Sequence, residues 1–185
     1  MAITIVATVG SATANSYTTE AEFITYLATR LNVPAGTTGS GTTASETEKK
    51  AMIEAARELQ MLPWVGTRVD TTQILAWPRE YAPKPDLPDD ITVGTSYYYL
   101  TTEIPQLVKD AQIELAMEFI KAGTTDLAAR DAALDVLTEK VDVLETGYVP
   151  QTQRAQGIAR FPRILTLLGP LLDSEASDAM TVARM

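Results

Sequence analysis

The sequence contains no cysteine and no histidine. The lack of cysteine excludes disulfides, thiolate metal sites and cysteine nucleophiles. The lack of histidine removes the commonest general base, the usual zinc ligand and the middle member of a hydrolase triad. Any catalysis would depend on carboxylates, lysine or tyrosine, so a carboxylate-based hydrolase is the last alternative. We therefore expect a protein that is not an enzyme and that uses no cofactor and no metal.

Long apolar runs are also missing. No stretch of about 18 consecutive apolar residues occurs, so we expect no membrane-spanning segment and no membrane partner. The first residues lack the positively charged region and the longer apolar stretch of a signal peptide. These absences predict a protein that is made in a cytoplasm and is used or assembled there.

Positive charge is scarce. The chain has 15 Lys and Arg against 24 Asp and Glu, a net charge of −9 and a pI near 4.5. Phosphate contacts supply most of the non-specific affinity for nucleic acid, so this balance argues against a protein that holds DNA tightly. The best basic candidate is the segment 146–172, which contains Arg154, Arg160 and Arg163 and no acidic residue. A solvated or subunit-facing segment is the simpler interpretation of these arginines.

The 185 residues suffice for one domain with a core. Apolar residues at helical spacing predict helices over 19–31, 46–62 and 105–122, and the first two begin with the capping boxes Thr19/Glu22 and Ser45/Glu48. Alternation predicts a strand at the N-terminus and a strand or hairpin arm over 140–148. Two shorter helices are expected over 126–138 and 164–172. The fold class is mainly α (α+β): a helical-bundle core with long loops and a small β-hairpin or strand arm, in a single domain 1–172 followed by a flexible acidic tail 173–185.

The helix 105–122 carries two apolar faces where a surface helix carries one. One face contains Ile104, Val108, Ala111, Leu115, Phe119 and Ala122. The nearly opposite face contains Ile113, Met117 and Ile120. The second face is either buried in the protein's own core or covered by another subunit, and we slightly favour the subunit.

Three further groups of residues are candidates for chemistry or binding. Glu114 and Glu118 lie one helical turn apart, but with Lys121 beside them a solvated face is favoured over a cation site. An acidic loop lacks the spacing of an EF-hand and is expected only to be soluble; it contains Asp86, Asp89 and Asp90. The run 97–99 is three tyrosines that could stack on bases, yet no basic residue lies between Lys84 and Lys109. An inter-subunit or strand-edge role is therefore favoured for the tyrosines.

Three blocks together resemble a phage family. The first is Asn15-Ser16-Tyr17-Thr18 running into the first helix and ending with residues 26–30. The second is the segment 73–79, which contains Leu-Ala-Trp-Pro-Arg, and the third is the segment 103–116, which contains Ile-Pro-x-x-Val-Lys-x-Ala. Their order resembles the phage proteins labelled "putative DnaT-like single-stranded-DNA-binding", which are similar in turn to head–tail connector, or adaptor, proteins of long-tailed phages. The resemblance covers roughly 1–120.

The resemblance to adaptors implies a structural virion protein in the phage neck, assembled in the host cytoplasm. It implies a ring of identical subunits, a dodecamer, docked under the portal protein and contacting a downstream neck or tail protein. Genome DNA would pass through this ring without tight binding, which suits an acidic chain. The alternatives are a single-stranded-DNA-binding accessory protein and another neck protein, such as a stopper or a tail terminator.

Within these blocks we assign structural or interface roles. Trp77 is expected to anchor the extended segment on the helical core, with Pro78 fixing the turn. Arg79 is expected to reach an acidic neighbour in its own subunit or in the next one. The same structural or interface role is assigned to the apolar residues of the third helix: Ile104, Val108, Ala111, Ile113, Leu115, Met117 and Ile120.

Overall fold

The structure is a computed structural model. It describes residues 2–35, 37, 41–85, 97–123, 138–141, 144–147, 158 and 161–173.

Two helices begin where the sequence places capping boxes. Helix α1 spans Glu20–Ala28 and helix α2 spans Glu46–Gln60. At each start the cap side chain accepts a hydrogen bond from a backbone N–H three residues on, and the glutamate there accepts one from the cap's own N–H. Both capping boxes are therefore confirmed, because each provides partners for N–H groups that the helix itself leaves unpaired.

Helix α3 spans Gln106–Ala122 and ends at Gly123, whose left-handed conformation at φ 69° is typical of a helix C-terminus. The short helix α4 spans Pro162–Leu168 and continues into a 3-10 turn, Gly169–Leu171. Helix α3 packs against α2 and against α4. The expected helix over 126–138 lies outside the described residues, apart from residue 138.

The core surrounds α3. Both of its apolar faces are buried by other parts of the same chain, so the structure corrects the slight preference for a neighbouring subunit. Periodicity reports how many faces of a helix are apolar but not which element covers them. The residues assigned to α3 from the sequence are all buried: Ile104, Val108, Ala111, Ile113, Leu115, Met117 and Ile120.

In the described ranges, two pairs of short strands are antiparallel. Strands β1, Thr67–Arg68, and β2, Arg79–Glu80, form one pair. Strands β3, Thr138–Val141, and β4, Leu144–Gly147, form a hairpin in the region predicted as a β arm. The fold class, mainly α with a small β arm, is confirmed.

The expected N-terminal strand is wrong. Residues 2–8 join no strand, because the side chain of Asn15 takes the place of a partner strand. Asn15 Oδ1 accepts a hydrogen bond from Val6 N at 2.8 Å, and Nδ2 donates to the carbonyl of Thr4 at 2.9 Å. A local side-chain interaction thus satisfies backbone groups that a sheet would otherwise pair.

Within the described ranges no helix has both the length and the apolar composition needed to cross a membrane. The single domain 1–172 stays a prediction. Most of the expected acidic tail, from residue 174 on, lies outside the described residues.

Candidate functional site

The segment 73–79 forms a buried turn centred on Trp77. The Trp77 indole is 1% exposed and meets two aromatic rings edge to face, Trp64 at 5.7 Å and Tyr99 at 6.0 Å between ring centroids. Pro78, joined to Trp77 by a cis peptide bond, is also buried. No acceptor within the described part of the chain receives a hydrogen bond from the Trp77 indole N–H. Trp77 therefore lies inside the core, and a role for it at an interface stays a prediction.

The guanidinium group of Arg79 binds backbone carbonyls. Its Nε donates to Val65 at 2.7 Å and its Nη1 donates to Ala76 at 3.2 Å. Its Nη2 donates to the carbonyls of Trp64 and Gly66. The acidic neighbour expected from the sequence is replaced by these carbonyls, because three carbonyls of residues 64–66 and the carbonyl of Ala76 in the turn converge on the guanidinium group. Arg79 thus ties two loop segments together, and its donors are engaged within the protein.

Three exposed tyrosine side chains meet on the surface above this turn. We call Tyr81, Tyr97 and Tyr98 the tyrosine cluster; their exposed fractions are 67%, 49% and 42%. The ring centroids of Tyr81 and Tyr98 are 6.0 Å apart, and those of Tyr97 and Tyr98 are 5.1 Å apart. In both pairs the rings stand nearly perpendicular, at 86° and 85°. The cluster therefore presents several ring surfaces to solvent in different orientations.

The backbone brings Lys84 beside the tyrosine cluster. Its N–H donates to the carbonyl of Tyr97 at 3.0 Å, and its ammonium group lies 5.7 Å from the centroid of the Tyr99 ring. A second backbone hydrogen bond of the same antiparallel pairing runs from Tyr99 to Ala82 at 3.0 Å. The sequence interpretation, that the tyrosines lack a cationic neighbour because none lies between Lys84 and Lys109, is therefore wrong. Pairing across the loop places a lysine from outside the tyrosine run next to the Tyr99 ring.

The backbone of Tyr81 is held in an unusual conformation. With φ 59°, it is the one non-glycine residue with positive φ in the part of the chain that the structure describes. For a bulky residue this conformation is strained, and strain of this kind concentrates at functional sites. Gly66 permits it by close approach, because a Cβ atom at Gly66 would lie 2.2 Å from the carbonyl oxygen of Glu80. The ring of Tyr81 is nevertheless mostly exposed to solvent.

Charges of both signs surround the tyrosine cluster. Besides Lys84, the exposed Arg68 lies on the adjoining strand β1. Glu80 directly precedes the first tyrosine of the cluster, and Glu103 is close enough to Tyr99 to affect its titration. Burial raises the pKa of Tyr99, and the negative charge of Glu103 raises it further. In the described part of the chain, charged residues of both signs therefore lie near the cluster.

A second polar group lies between α1, α3 and α4. The Glu114 carboxylate accepts a hydrogen bond from the Tyr26 hydroxyl at 2.7 Å and forms ion pairs with Arg30 and Arg163. Burial and the hydrogen bond to Glu114 raise the pKa of Tyr26 to about 12. The Glu114 side chain is only 13% exposed, so the interpretation of Glu114 and Glu118 as a solvated face is wrong for Glu114. The sequence spacing could not show that two arginines converge on it.

A cavity of about 650 Å³ lies beside this group, lined by α3 and α4 together with Tyr26. Its charged residues are of both signs, since Asp110 and Glu114 face it together with Arg163. Arg154 and Arg160, the other members of the expected basic patch, lie outside the described residues. The described part of the basic segment 146–172 therefore holds one arginine, Arg163, which is already paired with the Glu114 carboxylate.

In the described ranges no three carboxylates come together in a group that could hold a metal ion. The acidic loop considered from the sequence lies outside the described residues, and with it Asp86, Asp89 and Asp90. The tyrosine cluster with Lys84 is the candidate binding site, because it exposes aromatic rings next to a lysine.

The model of a family described as "Putative DnaT-like ssDNA binding protein" matches residues 1–185, the full length of the chain. No curated protein matches the chain, and no solved structure matches it. The expected membership of a head–tail connector family is wrong, because the family that matches is described by binding to single-stranded DNA. The three blocks that carried the resemblance build the core, for example around Tyr17 and Trp77, and core sequence reports packing more than it reports what the surface binds.

The match supports an interaction with DNA and gives no support to a portal, a subunit ring or a neck protein as partners. The expectation that DNA only passes by without being bound loses its basis together with the connector assignment. A location in the virion neck and the absence of enzymatic activity stay predictions.

Proposed function

Since the chain belongs to the family described as "Putative DnaT-like ssDNA binding protein", we propose that it is a single-stranded-DNA-binding accessory protein that acts by binding and not by catalysis. The tyrosine cluster with Lys84 is the proposed site. It is the observation that carries the proposal, because exposed aromatic rings beside a cation are what single-stranded nucleic acid binds in other proteins.

Base stacking explains how an acidic protein can bind DNA. Aromatic stacking contributes about 1–3 kcal/mol for each base, and this contribution comes from contact between ring faces. The net charge of −9 describes the whole chain, whereas the ammonium group of Lys84 lies 5.7 Å from the centroid of the Tyr99 ring, next to the cluster's Tyr98 in the chain. The negative net charge therefore limits the binding free energy that phosphate contacts can supply. It does not reduce the binding free energy that base stacking supplies.

The strained backbone at Tyr81 supports the same site. A conformation that costs free energy persists where the surrounding structure enforces it, and such positions cluster at ligand sites. Here Gly66 permits the close approach of the two backbone segments, and the Tyr81 ring stays exposed to solvent. Burial gives no compensating gain for a ring that is 67% exposed. Ligand binding would provide that gain.

The test is fluorescence anisotropy of a labelled single-stranded oligonucleotide titrated with the full chain at low salt. We expect saturable binding that the double variant Tyr97→Ala/Tyr98→Ala weakens by about tenfold or more, since each lost stacking contact costs about 1–3 kcal/mol. Circular dichroism of the variant should match that of the unaltered protein, because the removed rings are exposed.

Two matched controls remove exposed apolar side chains elsewhere on the surface. Leu31→Ala and Met61→Ala, with exposed fractions of 96% and 84%, should leave DNA affinity unchanged. Absence of saturable binding at low salt would contradict the proposed function. Binding that the tyrosine variant leaves unchanged would place the DNA site elsewhere on the protein.

A further inference from the structure

The described cations near the tyrosine cluster are few. Lys84 lies over the Tyr99 ring, and Arg68 is exposed on β1, whereas the Arg79 guanidinium is engaged by backbone carbonyls. Glu80, directly before Tyr81 in the chain, carries a negative charge, which repels phosphate. A DNA strand on this surface would therefore find one or two partners for its phosphates.

The rings, in contrast, are abundant and differently oriented. Neighbouring rings of the tyrosine cluster stand at 86° and 85° to each other, so bases that stack on two of them cannot stay parallel. Consecutive bases must turn away from one another to use the cluster. A duplex holds its bases parallel and covered, and only an unpaired strand can splay them.

From this contrast we infer that the tyrosine cluster recognises the unpaired bases of DNA and not its phosphate backbone. This inference rests on the proposed function and specifies how the site works. The ligand is a short stretch of roughly two or three splayed bases, one for each exposed ring. Lys84 contributes a single phosphate contact beside the rings.

The inference predicts a shallow dependence on salt. For single strands the slope of log affinity against log salt concentration is about −0.7 for each neutralised phosphate. With one or two contacts the expected slope is about −1, whereas a phosphate-binding groove with six contacts would give about −4. Lys84→Gln should flatten the slope further and leave most of the affinity in place.

The deciding experiment compares two labelled probes of equal length and charge, an oligothymidine of about 12 nucleotides and an abasic sugar–phosphate oligomer. Both are titrated with the full chain over a series of salt concentrations. We expect the abasic probe to bind at least about tenfold more weakly, and we expect Tyr98→Ala to weaken binding of oligothymidine but not of the abasic probe.

The outcomes separate failure of base recognition at the tyrosine cluster from failure of the proposed DNA binding. Equal binding of the two probes, or a slope steeper than about −3, would overturn the inference and leave DNA binding in place. If neither probe binds at low salt, the proposed function fails and the inference fails with it. A variant with both Tyr97 and Tyr98 replaced by leucine keeps apolar surface without aromatic rings, and it should lose the preference for oligothymidine.

Discussion

The side-chain carbonyl of Gln112, in the middle of α3, accepts a hydrogen bond from the backbone N–H of Tyr17 at 2.9 Å. The same oxygen accepts the N–H of Thr18 at 3.1 Å. The amide nitrogen donates to the Ser16 hydroxyl and to the Met52 carbonyl, both at 2.8 Å. Every donor and acceptor of this buried amide is therefore used, and one side chain joins α3, α2 and the segment before α1.

Gln112→Ala should destabilise the protein by about 3 kcal/mol, because it leaves several buried backbone groups without partners. Urea unfolding followed by circular dichroism measures this loss. The matched control is Gln106→Ala on the same helix, where the exposed amide bonds only Asp110 among the described residues. Its effect should stay below about 0.5 kcal/mol. Equal losses of unfolding free energy in the two variants would show that the buried hydrogen bonds of Gln112 stabilise the protein no more than the exposed one of Gln106.

The structural features that the sequence predicts correctly are those set by residues close together in the chain. Both capping boxes and the start of α3 beside Pro105 follow from signals a few residues apart, and the structure has them. The polar Gln112 inside an apolar stripe was a visible signal that a buried polar partner exists. Its partners are about 60 to 96 residues away in sequence, so the pattern could not identify them.

The candidate site shows the same limit. The run of tyrosines was visible in the sequence, but its cation was sought among near neighbours. Lys84 reaches the rings through backbone pairing with Tyr97, which composition and periodicity do not encode. The strained φ of Tyr81 is likewise set by the approach of Gly66 from another loop, so only the folded structure reveals it.

Trp77→Ala should cost about 3–5 kcal/mol of unfolding free energy, because a large buried ring is removed. Trp77→Phe should cost clearly less, since phenylalanine keeps a ring in the core and removes an indole N–H that has no acceptor among the described residues. Urea unfolding of both variants tests this. A loss below about 1 kcal/mol for Trp77→Ala would contradict the core role of Trp77.

Stability should depend on pH through Glu22, whose carboxylate binds the Thr19 N–H at 2.7 Å and the ammonium of Lys109. Burial acts to raise the pKa of Glu22, but these bonds outweigh it and lower the pKa below 4.5. A lowered pKa stabilises the folded state above pH 4.5, and this contribution is lost as pH falls through the folded value.

Glu22→Gln should therefore lower the urea midpoint at neutral pH, and its difference from the unaltered protein should shrink as pH falls toward about 3. Glu54→Gln is the control, because it removes a largely exposed ion pair with Arg57 and should change stability little. A difference between Glu22→Gln and the unaltered protein that stays constant with pH would contradict a charge-dependent contact.

Replacement of Tyr81 separates backbone strain from ring function. Glycine adopts positive φ without a Cβ penalty, whereas alanine keeps the penalty, so Tyr81→Gly should be about 1 kcal/mol more stable than Tyr81→Ala. Both variants lack the ring and should lose DNA affinity to a similar extent. Urea unfolding and anisotropy on the same two proteins make the comparison.

Equal stability would mean that the backbone at Tyr81 is not strained, and retained affinity in Tyr81→Gly would mean that its ring does not contact DNA. The expected outcome is that Tyr81→Gly is more stable than Tyr81→Ala while both bind DNA weakly, which is what strain retained for ligand binding predicts.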